Sequence, residues 1–357
     1  MIAIDCRPLQ DDSKFRGIGT VIRNIIEHIP NKKNYALLIE KGRGDIESFG
    51  MKVIEFIVPF NKKKYGEVLT QCLRENHIRQ CHFMAQYNIP DHFDFPFSVT
   101  VHDLFNEYLL TNQKKYEKKL APMIKQLKKA KVLIAISEYT KATIQERLPD
   151  AKVQVITNGF SASITKHATV DVNLFTTLNI QTPFILYMGN FEKRKNFLGA
   201  LKGFIEFSKT HPEYQLVACT GHQPVILPPA ILWLVLKHRK KIKLMPYIQS
   251  NALANLYKKA EALLFVSHAE GFGLPILEAM SVTTPVVISN TTALPEVGKN
   301  AAMYADPRDT RSIAEGLSSV IDDDQCRHEL IQHMPKVLAD FDVKTKALEY
   351  DQLFSLA

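Results

Sequence analysis

The stretch HAEGFGLPILEAM, residues 268–280, sets two glutamates, Glu270 and Glu278, around a Gly-Phe-Gly-Leu-Pro turn. The run before it, ALLFVS at 262–267, is short and apolar, as a buried strand would be. Pro275 suits the first turn of a helix, because its fixed φ is already helical and its missing N–H would be unpaired there. The segment therefore reads as strand, loop and helix, with Glu270 in the loop and Glu278 in the first helical turn. Gly271 and Gly273 let backbone approach a ligand closely, and the free N–H groups of a helix start favour an anion. Two carboxylates beside such a terminus fit a ligand that carries both phosphate and hydroxyls, since a carboxylate can accept from two neighbouring hydroxyls at once. The competing structural reading of Glu278 is a first-turn glutamate favoured by the helix dipole.

A second set of charges follows another strand. Arg194 and Lys195 come after PFILYMG at 183–189 and the turn at Gly189. Arg supplies a planar fork and Lys a point charge, so the pair could hold a diphosphate and stabilise it as it departs. The alternative is a surface basic run near Glu192. His102 closes the strand-like run SVTVHD at 98–103, at the end where doubly wound sheets bind ligands. A lone histidine there is otherwise a satisfied core residue. Gly17 and Gly19 stand at the mouth of GIGTVIRNIIEHIP, where Val21, Ile22, Ile25, Ile26 and Ile29 recur at helical spacing.

These groups need strands and helices to position them. Strand-like runs recur at MIAID, YALLIE (35–40), VIEFIV (53–58), VLIAIS (132–137) and KVQVIT (152–157), with helical patterns between several of them. The alternation implies an α/β chain with a mostly parallel sheet. It stops after ITNGF at 156–160 and resumes at 183 through YQLVACTG, KIKLMPY, ALLFVS and TPVVISN. We expect an N-terminal Rossmann-like domain over 1–165, a linker over 166–182, a second such domain over 183–340 and a helix at 341–357 packing back on the first domain. Two doubly wound domains facing each other across a cleft are the expected architecture.

Composition narrows the function class. The chain has 357 residues and 46% apolar composition, enough for two cores. The start has no basic region followed by a long apolar core, and AILWLVL at 230–236 is too short to span a bilayer. Cys6, Cys72, Cys81, Cys219 and Cys326 are scattered, with no Cys-x-x-Cys pair, so reduced thiols in a cytoplasm are expected and a zinc site is not. The net charge of +8 is uneven: residues 1–170 hold 26 Lys and Arg against 18 Asp and Glu, and residues 171–357 hold 19 against 19. Much of the excess lies in QKKYEKKLAPMIKQLKKAK at 113–131, with eight lysines and one glutamate. That run could meet anionic lipid through Lys114, Lys115, Lys118, Lys119, Lys125, Lys128 and Lys129, or be the solvated face of a helix pair broken at Pro122. Basic residues are not interleaved with stacking aromatics in any nucleic-acid module, so no nucleic acid is expected.

The block from Ser267 to Asp309, with its Glu270 and Glu278 spacing, resembles the C-terminal signature of the family 4 retaining glycosyltransferases, which have the GT-B fold. RGIGTVIRNI (16–25), VTVHDL (99–104), YMGNFEKRKNF (187–197), ISEYTKATI and VITNGF match in the same chain order. The resemblance implies that Arg194 and Lys195 stabilise a leaving nucleoside diphosphate, that Glu278 takes the ribose diol, and that Glu270 binds the donor sugar. It implies that the Phe272, Gly273 and Leu274 backbone faces sugar and phosphates, and that His102 hydrogen-bonds the sugar near the reacting centre. Gly17, Gly19, Gly189 and Gly271 would admit the donor, and Tyr247 and Ile248 would rest against the base. Two departures stand out: Thr283 where the family usually has glycine, and Asn190 where a basic or small residue is common.

The expected function is metal-independent transfer of a sugar, with retention, from a UDP- or GDP-linked donor to a glycan, lipid-linked or protein acceptor. The setting implied is surface polysaccharide or glycan assembly in the cytoplasm, with the basic run at the inner face of the membrane. No cofactor is expected, and no Asp-x-Asp pair of the metal-dependent kind occurs. The rivals are a sugar-nucleotide epimerase of similar architecture, which needs no acceptor, and a non-catalytic basic binding protein.

Overall fold

A computed structural model describes all residues except 16, 105–112, 163–171, 222–226, 246, 247, 249 and 357; side chains are described for the same residues less 15, 62, 113–117, 119, 172–174, 250, 251 and 356. In chain order the strands are β1 (Ile2–Asp5), β2 (Tyr35–Glu40), β3 (Lys52–Phe56), β4 (Gln80–Phe83), β5 (Phe97–Val101), β6 (Leu133–Ala135), β7 (Val153–Val155), β8 (Phe184–Met188), β9 (Gln215–Cys219), β10 (Ile242–Met245), β11 (Ala262–Phe265), β12 (Val286–Ser289) and β13 (Met303–Ala305). The helices are α1 (Gly17–His28), α2 (Tyr65–Glu75), α3 (Gln113–Leu127), α4 (Glu138–Arg147), α5 (Val172–Thr177), α6 (Phe197–Phe207), α7 (Pro229–Lys237), α8 (Ser250–Lys259), α9 (Leu274–Met280), α10 (Leu294–Gly298), α11 (Thr310–Asp322), α12 (Asp324–Asp340) and α13 (Val343–Leu356). They form two compact units, one of residues 1–160 with 341–357 and one of residues 161–340.

The N-terminal unit is a seven-stranded parallel sheet in the order β3-β2-β1-β4-β5-β6-β7. Its central strands are buried throughout, which is why IAID and YALLI read as continuous apolar runs rather than alternating ones. β4, with the sequence QCHF, carries no apolar run and gave no strand signal, yet it is fully buried. Its polar groups find partners in the neighbouring strand: His82 hydrogen-bonds Ser98 at 2.8 Å and Thr100 at 3.0 Å, and Gln80 donates to Ser98 at 3.2 Å. Burial pushes the His82 imidazole down to about 3, so it stays neutral. Thr100 also bonds the Tyr350 hydroxyl of α13 at 2.9 Å, and Tyr35 donates to Asp351 at 2.5 Å. These bonds and the Phe354 ring over His82 fasten α13 to this unit.

The C-terminal unit is a six-stranded parallel sheet in the order β10-β9-β8-β11-β12-β13. α6 and α11 cover one face, and they approach closely because a Cβ on Gly203 would meet Ile313 at 2.3 Å. In each sheet the strand order reverses once, between β1 and β4 and between β8 and β11. The loops leaving those strands therefore diverge and open a crevice at the strands' carboxyl ends.

Two expectations change, and one departure gains a physical reading. The unit boundary falls between 160 and 161, and part of the stretch read as linker is α5 and its following turn, which bury Phe175 and Ile180. The polar composition hid this, and Phe175 packs beside Phe184 of β8. α3 runs unbroken through Pro122, whose exposed ring costs the helix a hydrogen bond without ending it. Thr283 takes a left-handed φ of 62°, a conformation that glycine adopts freely and a β-branched residue does not.

Candidate functional site

The two loops that leave β8 and β11 carry the charged residues singled out in the sequence. After β8 the chain turns at Gly189, where a Cβ would meet the Tyr187 hydroxyl at 2.9 Å. A single 3-10 turn over Lys193–Lys195 follows, and Asn196, at a left-handed φ of 54°, caps α6 by accepting from Gly199 N at 3.2 Å. The Asn196 amide donates to the carbonyls of Val266 at 2.9 Å and Pro307 at 2.7 Å. The Arg194 carbonyl accepts from His268 N at 2.7 Å, and the Lys195 carbonyl from the Tyr187 hydroxyl at 2.9 Å. The basic turn is thus tied by backbone and side chain to the loop after β11.

Glu270 lies in that second loop and is only 6% exposed. Lys195 Nζ stands 2.7 Å from one carboxylate oxygen, and Arg194 Nη1 stands 3.0 Å from the other. Burial works against the carboxylate, but Lys195 and Arg194 together override it and hold the carboxyl below its ordinary range. Arg194 also bonds Glu192 at 2.8 Å, and Lys195 sits 5.5 Å from the centre of the Phe265 ring. The Arg194 and Lys195 side chains keep 18% and 17% exposure. Glu270 N donates to Thr292 Oγ1 at 3.2 Å, and Thr292 itself holds a left-handed φ of 57°. Strained backbone of this kind beside paired charges marks a loop held in place by its surroundings.

Gly271, Phe272, Gly273 and Leu274 are all buried and lead into α9. Gly273 has a φ of 122°, and a Cβ there would meet Leu294 at 2.8 Å, so the turn admits glycine only. α9 begins at Leu274, which makes Glu278 its fifth residue rather than a first-turn one. The dipole account of that glutamate, which works within the first turn, therefore loses its ground. Glu278 accepts from the Tyr257 hydroxyl at 2.7 Å. Burial raises its carboxyl above the ordinary range, and the Tyr257 bond opposes part of that rise.

The other residues are less closely joined. Ile248 is half-buried, and Tyr247 lies outside the described residues. His102, Gly17 and Gly19 belong to the N-terminal unit. His102 follows β5, its Nε2 donates to the Met84 carbonyl at 2.8 Å, and its backbone N donates to Gln86 at 3.2 Å. Burial pushes the imidazole down to about 4, against a smaller upward pull from the Met84 carbonyl. The ring is thus a neutral hydrogen-bonding group with Nδ1 as its acceptor. Gly17 is exposed, whereas a Cβ on Gly19 would run into Lys14 and Ser13 backbone at 2.5 Å, so packing alone requires glycine there. Lys118, Lys125 and Lys128 of the basic run are exposed and Lys129 pairs with Asp94 at 3.2 Å, while the side chains of Lys114, Lys115 and Lys119 lie outside the described ones.

Sequence reasoning missed Tyr257, Asn196 and Thr292. Tyr257 has no local signal, because its partner is twenty-one residues away in chain. Asn196 had one: an asparagine directly before an apolar helical run is an N-cap signature. Among the described residues, no group of three His, Cys, Asp or Glu side chains could hold a metal ion.

The comparisons with known proteins agree with one another. The model of glycosyl transferases group 1 matches residues 175–337, and that of glycosyltransferase family 4 matches residues 75–163. The O-antigen chain mannosyltransferase B of Escherichia coli is 36% identical over 148 residues, 40% of this chain and 38% of that protein. The O-antigen chain mannosyltransferase RfbU of Salmonella typhimurium is 25% identical over 261 residues, 72% of this chain and 66% of that one. The chain thus matches these two relatives over less than two thirds of their own length. Among solved structures, the sucrose-phosphate synthase of Thermosynechococcus elongatus superposes with a TM-score of 0.78 at 18% identity, covering 100% of this chain and 99% of that one. Anabaena HepE in complex with UDP-glucose superposes at 0.76 with 15% identity, covering 100% and 99%. At these identities the superpositions speak for the fold.

Proposed function

Because the chain belongs to the family 4 glycosyltransferases and has their GT-B fold, we propose that it moves a sugar from a nucleotide-sugar donor to an acceptor hydroxyl, with retention at the anomeric carbon. The observation that carries this reading is the ion triad of Glu270 with Arg194 and Lys195 on the two switch-point loops, followed by Glu278 in the second turn of α9. Two cations fixed by backbone ties offer a ready place for charge to build on a departing phosphate oxygen. Preorganised charge of this kind costs no rearrangement when the bond breaks. Glu270 keeps both cations charged and aimed, and its remaining acceptor capacity suits sugar hydroxyls. Glu278 takes the ribose diol, the buried loop from Gly271 to Leu274 gives its N–H groups to the donor, and Gly189 and Ile248 line the same unit's share. His102, neutral at ordinary pH, serves as a hydrogen-bond partner for the donor sugar and not as a base.

In this proposal Arg194 and Lys195 take the place of a divalent cation, so turnover should survive a chelator. Relatives named as O-antigen chain mannosyltransferases and a neighbour solved with UDP-glucose make mannose and glucose the first sugars to try, on uridine and guanosine diphosphate. The acceptor is proposed as a glycan or lipid-linked glycan in surface polysaccharide assembly. No helix among the described residues is long and apolar enough to cross a membrane. The exposed Lys118 and Lys125 of α3, with Lys128 just after it, support contact with an anionic membrane on its cytoplasmic face.

A panel of nucleotide sugars scored by thermal shift, then by nucleoside diphosphate release with and without acceptor glycans, tests the reading. A donor at a hundred times its dissociation constant should stabilise the protein by about 2.7 kcal/mol. Turnover that depends on acceptor supports transfer. Equal turnover without acceptor would mean an epimerase or hydrolase, and binding with no diphosphate released would mean a non-catalytic binder.

A further inference from the structure

The charge of the C-terminal half sums to nothing, yet it is sharply segregated. Residues 214–260 contain seven Lys and Arg and not one Asp or Glu. In the middle of that stretch lies α7. Its Ile231 is buried, and Leu234 and Val235 pack beside it on the core of the C-terminal unit. These three positions make one face of the helix. The opposite face is apolar as well: Leu232 is 43% exposed, and Trp233 and Leu236 are each 59% exposed. Pro228, Pro229 and Ala230, at the start of the helix, are exposed too. Helices that dock on a core by one stripe normally turn polar residues outward, so a helix apolar on both sides has a second surface to satisfy.

Cations border that outer face. Lys237, Arg239 and Lys240 are exposed, and Lys237 Nζ lies 4.7 Å from the centre of the Trp233 ring. Lys241 is turned inward and donates to the Ser208 carbonyl at 2.9 Å. His238 between them is lowered by partial burial and by Lys237 and Lys241, so the positive charge of the patch is that of the three exposed cations.

We propose that the outer face of α7, with Lys237, Arg239 and Lys240, is a docking surface for an anionic lipid bilayer, lying in the plane of the interface with Leu232, Trp233 and Leu236 inserted. A short helix with an apolar face, an aromatic residue of amphipathic character and a fringe of cations is what such an interface binds. Each cation near an anionic surface adds roughly a fivefold gain in affinity. A second copy of this chain fits less well. A twofold contact through this patch would bring the same cations face to face, and three side chains fall far short of the ~800 Å² per partner that stable pairs bury. The inference is independent of the donor proposal, since it needs no nucleotide.

Trp233 is the one tryptophan of the chain, so its fluorescence reports from the centre of the patch. Full-length protein is titrated with phosphatidylglycerol–phosphatidylcholine vesicles and with phosphatidylcholine vesicles, reading emission and co-sedimentation. The expected result is a blue shift and pelleting with the anionic vesicles, weakened by salt. Leu232→Ser with Leu236→Ser, and separately Lys237→Glu with Arg239→Glu and Lys240→Glu, should each weaken vesicle binding at least tenfold. Both variants change exposed side chains only, so their thermal unfolding should match wild type. Trp233 emission unmoved by anionic vesicles overturns the proposal. So does a blue shift that follows protein concentration without lipid, which would make the face a self-association surface. If only charge reversal in α3 abolishes pelleting, the lipid contact lies there and not on α7.

Discussion

Asp5 with Arg7 in the N-terminal unit, and Glu270 with Arg194 and Lys195 in the C-terminal unit, occupy the same place in their sheets. The first lies at the end of β1 and in the turn after it, joined by Asn88 from the segment after β4, and the second lies on the loops after β8 and β11. The first is closed. Asp5 accepts from Arg7 Nε at 2.6 Å and Nη2 at 3.0 Å, and its second oxygen also takes the Asn88 amide at 3.0 Å. Arg7 Nη2 returns to the Asn88 carbonyl at 2.8 Å, and the guanidinium lies 5.4 Å from the Phe56 and Tyr65 ring centres and 6.0 Å from that of Phe83. One negative charge meets one positive charge, fully buried and stacked on three rings. The second is open. Two cations share the buried Glu270 carboxylate, Arg194 pairs with the half-exposed Glu192 as well, and both cations keep part of their surface in solvent. The same kinds of residue are thus sealed inside the core in one unit and reach solvent in the other. What separates them is access to solvent, which neither a motif nor a distance alone conveys.

The largest effect should come from breaking the closed pair. Asp5→Ala leaves the Arg7 guanidinium buried without its counter-charge, a loss of about 3–5 kcal/mol. Labelling of Cys81, buried in the N-terminal unit, should begin at lower urea, while labelling of Cys219, buried in the other, keeps its wild-type midpoint. An apolar replacement of both partners, Asp5→Leu with Arg7→Met, should recover most of that loss. Recovery accompanied by full loss of the proposed transfer activity would show that this switch point also serves the ligand, and the comparison would fail.

Next in size is the open cluster. Lys195→Ala should lower turnover by about 10²–10³-fold, the usual cost of removing one preorganised stabiliser of developing charge. Its effect on unfolding should be small, because the lysine is partly solvated. Glu270→Gln should remove an acid limb from the stability of the C-terminal unit. The folded carboxyl is held below its ordinary value, so its contribution is complete above the unfolded value of about 4.3 and is lost as pH falls through the lower folded one. A melting profile between neutral and acid pH compares the two proteins. Identical profiles would mean that Glu270 is not the anchor of the two cations.

How much of this was legible in the sequence differs between the two regions. The open cluster was legible, because Arg194, Lys195, Glu270 and Glu278 stand beside glycine turns at the ends of apolar runs, and local chemistry names them. Their contacts were not: Glu270 reads as a hydroxyl acceptor, yet in the fold it also anchors both cations across seventy-five residues of chain. The closed pair was illegible, since Asp5 and Arg7 lie in a strand-to-turn segment without periodicity and Asn88 is eighty-three residues away. β4 escaped for a related reason, as Gln80 and His82 interrupt any apolar pattern and are matched only by Ser98 and Thr100 of the next strand. A charge sum over the C-terminal half likewise concealed the patch on α7, because cations and carboxylates cancel in a total while lying on different surfaces.

Glu278→Ala should have a more moderate effect. A hydrogen bond to a charged group contributes about 1.5–3 kcal/mol, so the affinity for the nucleoside diphosphate selected by the donor panel should fall tenfold or more. Calorimetric titration reads it directly, and an unchanged affinity would remove the ribose assignment.

The smallest effect, and the one that separates Glu278 from Glu270 most sharply, concerns Tyr257. Burial lifts the Glu278 carboxyl and the Tyr257 hydroxyl pulls it partly back, whereas Glu270 is held down by its cations. Tyr257→Phe keeps the ring that fills the core and deletes the hydroxyl alone. Without that donor the Glu278 carboxyl should rise further. Diol binding needs the carboxylate, so nucleotide affinity should fall as pH drops through the folded value, and in the variant that fall should start at higher pH. At a pH above the folded values of both proteins Glu278 is charged in each. There the variant should bind within about two- to tenfold of wild type, the worth of one neutral hydrogen bond. As the pH falls through the folded values the gap should widen. The charge on Glu278 is also a cost to the fold above the unfolded carboxyl value, so Glu278→Gln should raise the melting temperature at neutral pH even as it weakens binding. Affinity curves for wild type and Tyr257→Phe that run parallel at every pH would show that the hydroxyl does not tune Glu278, and the diol would then have to be held by some other group.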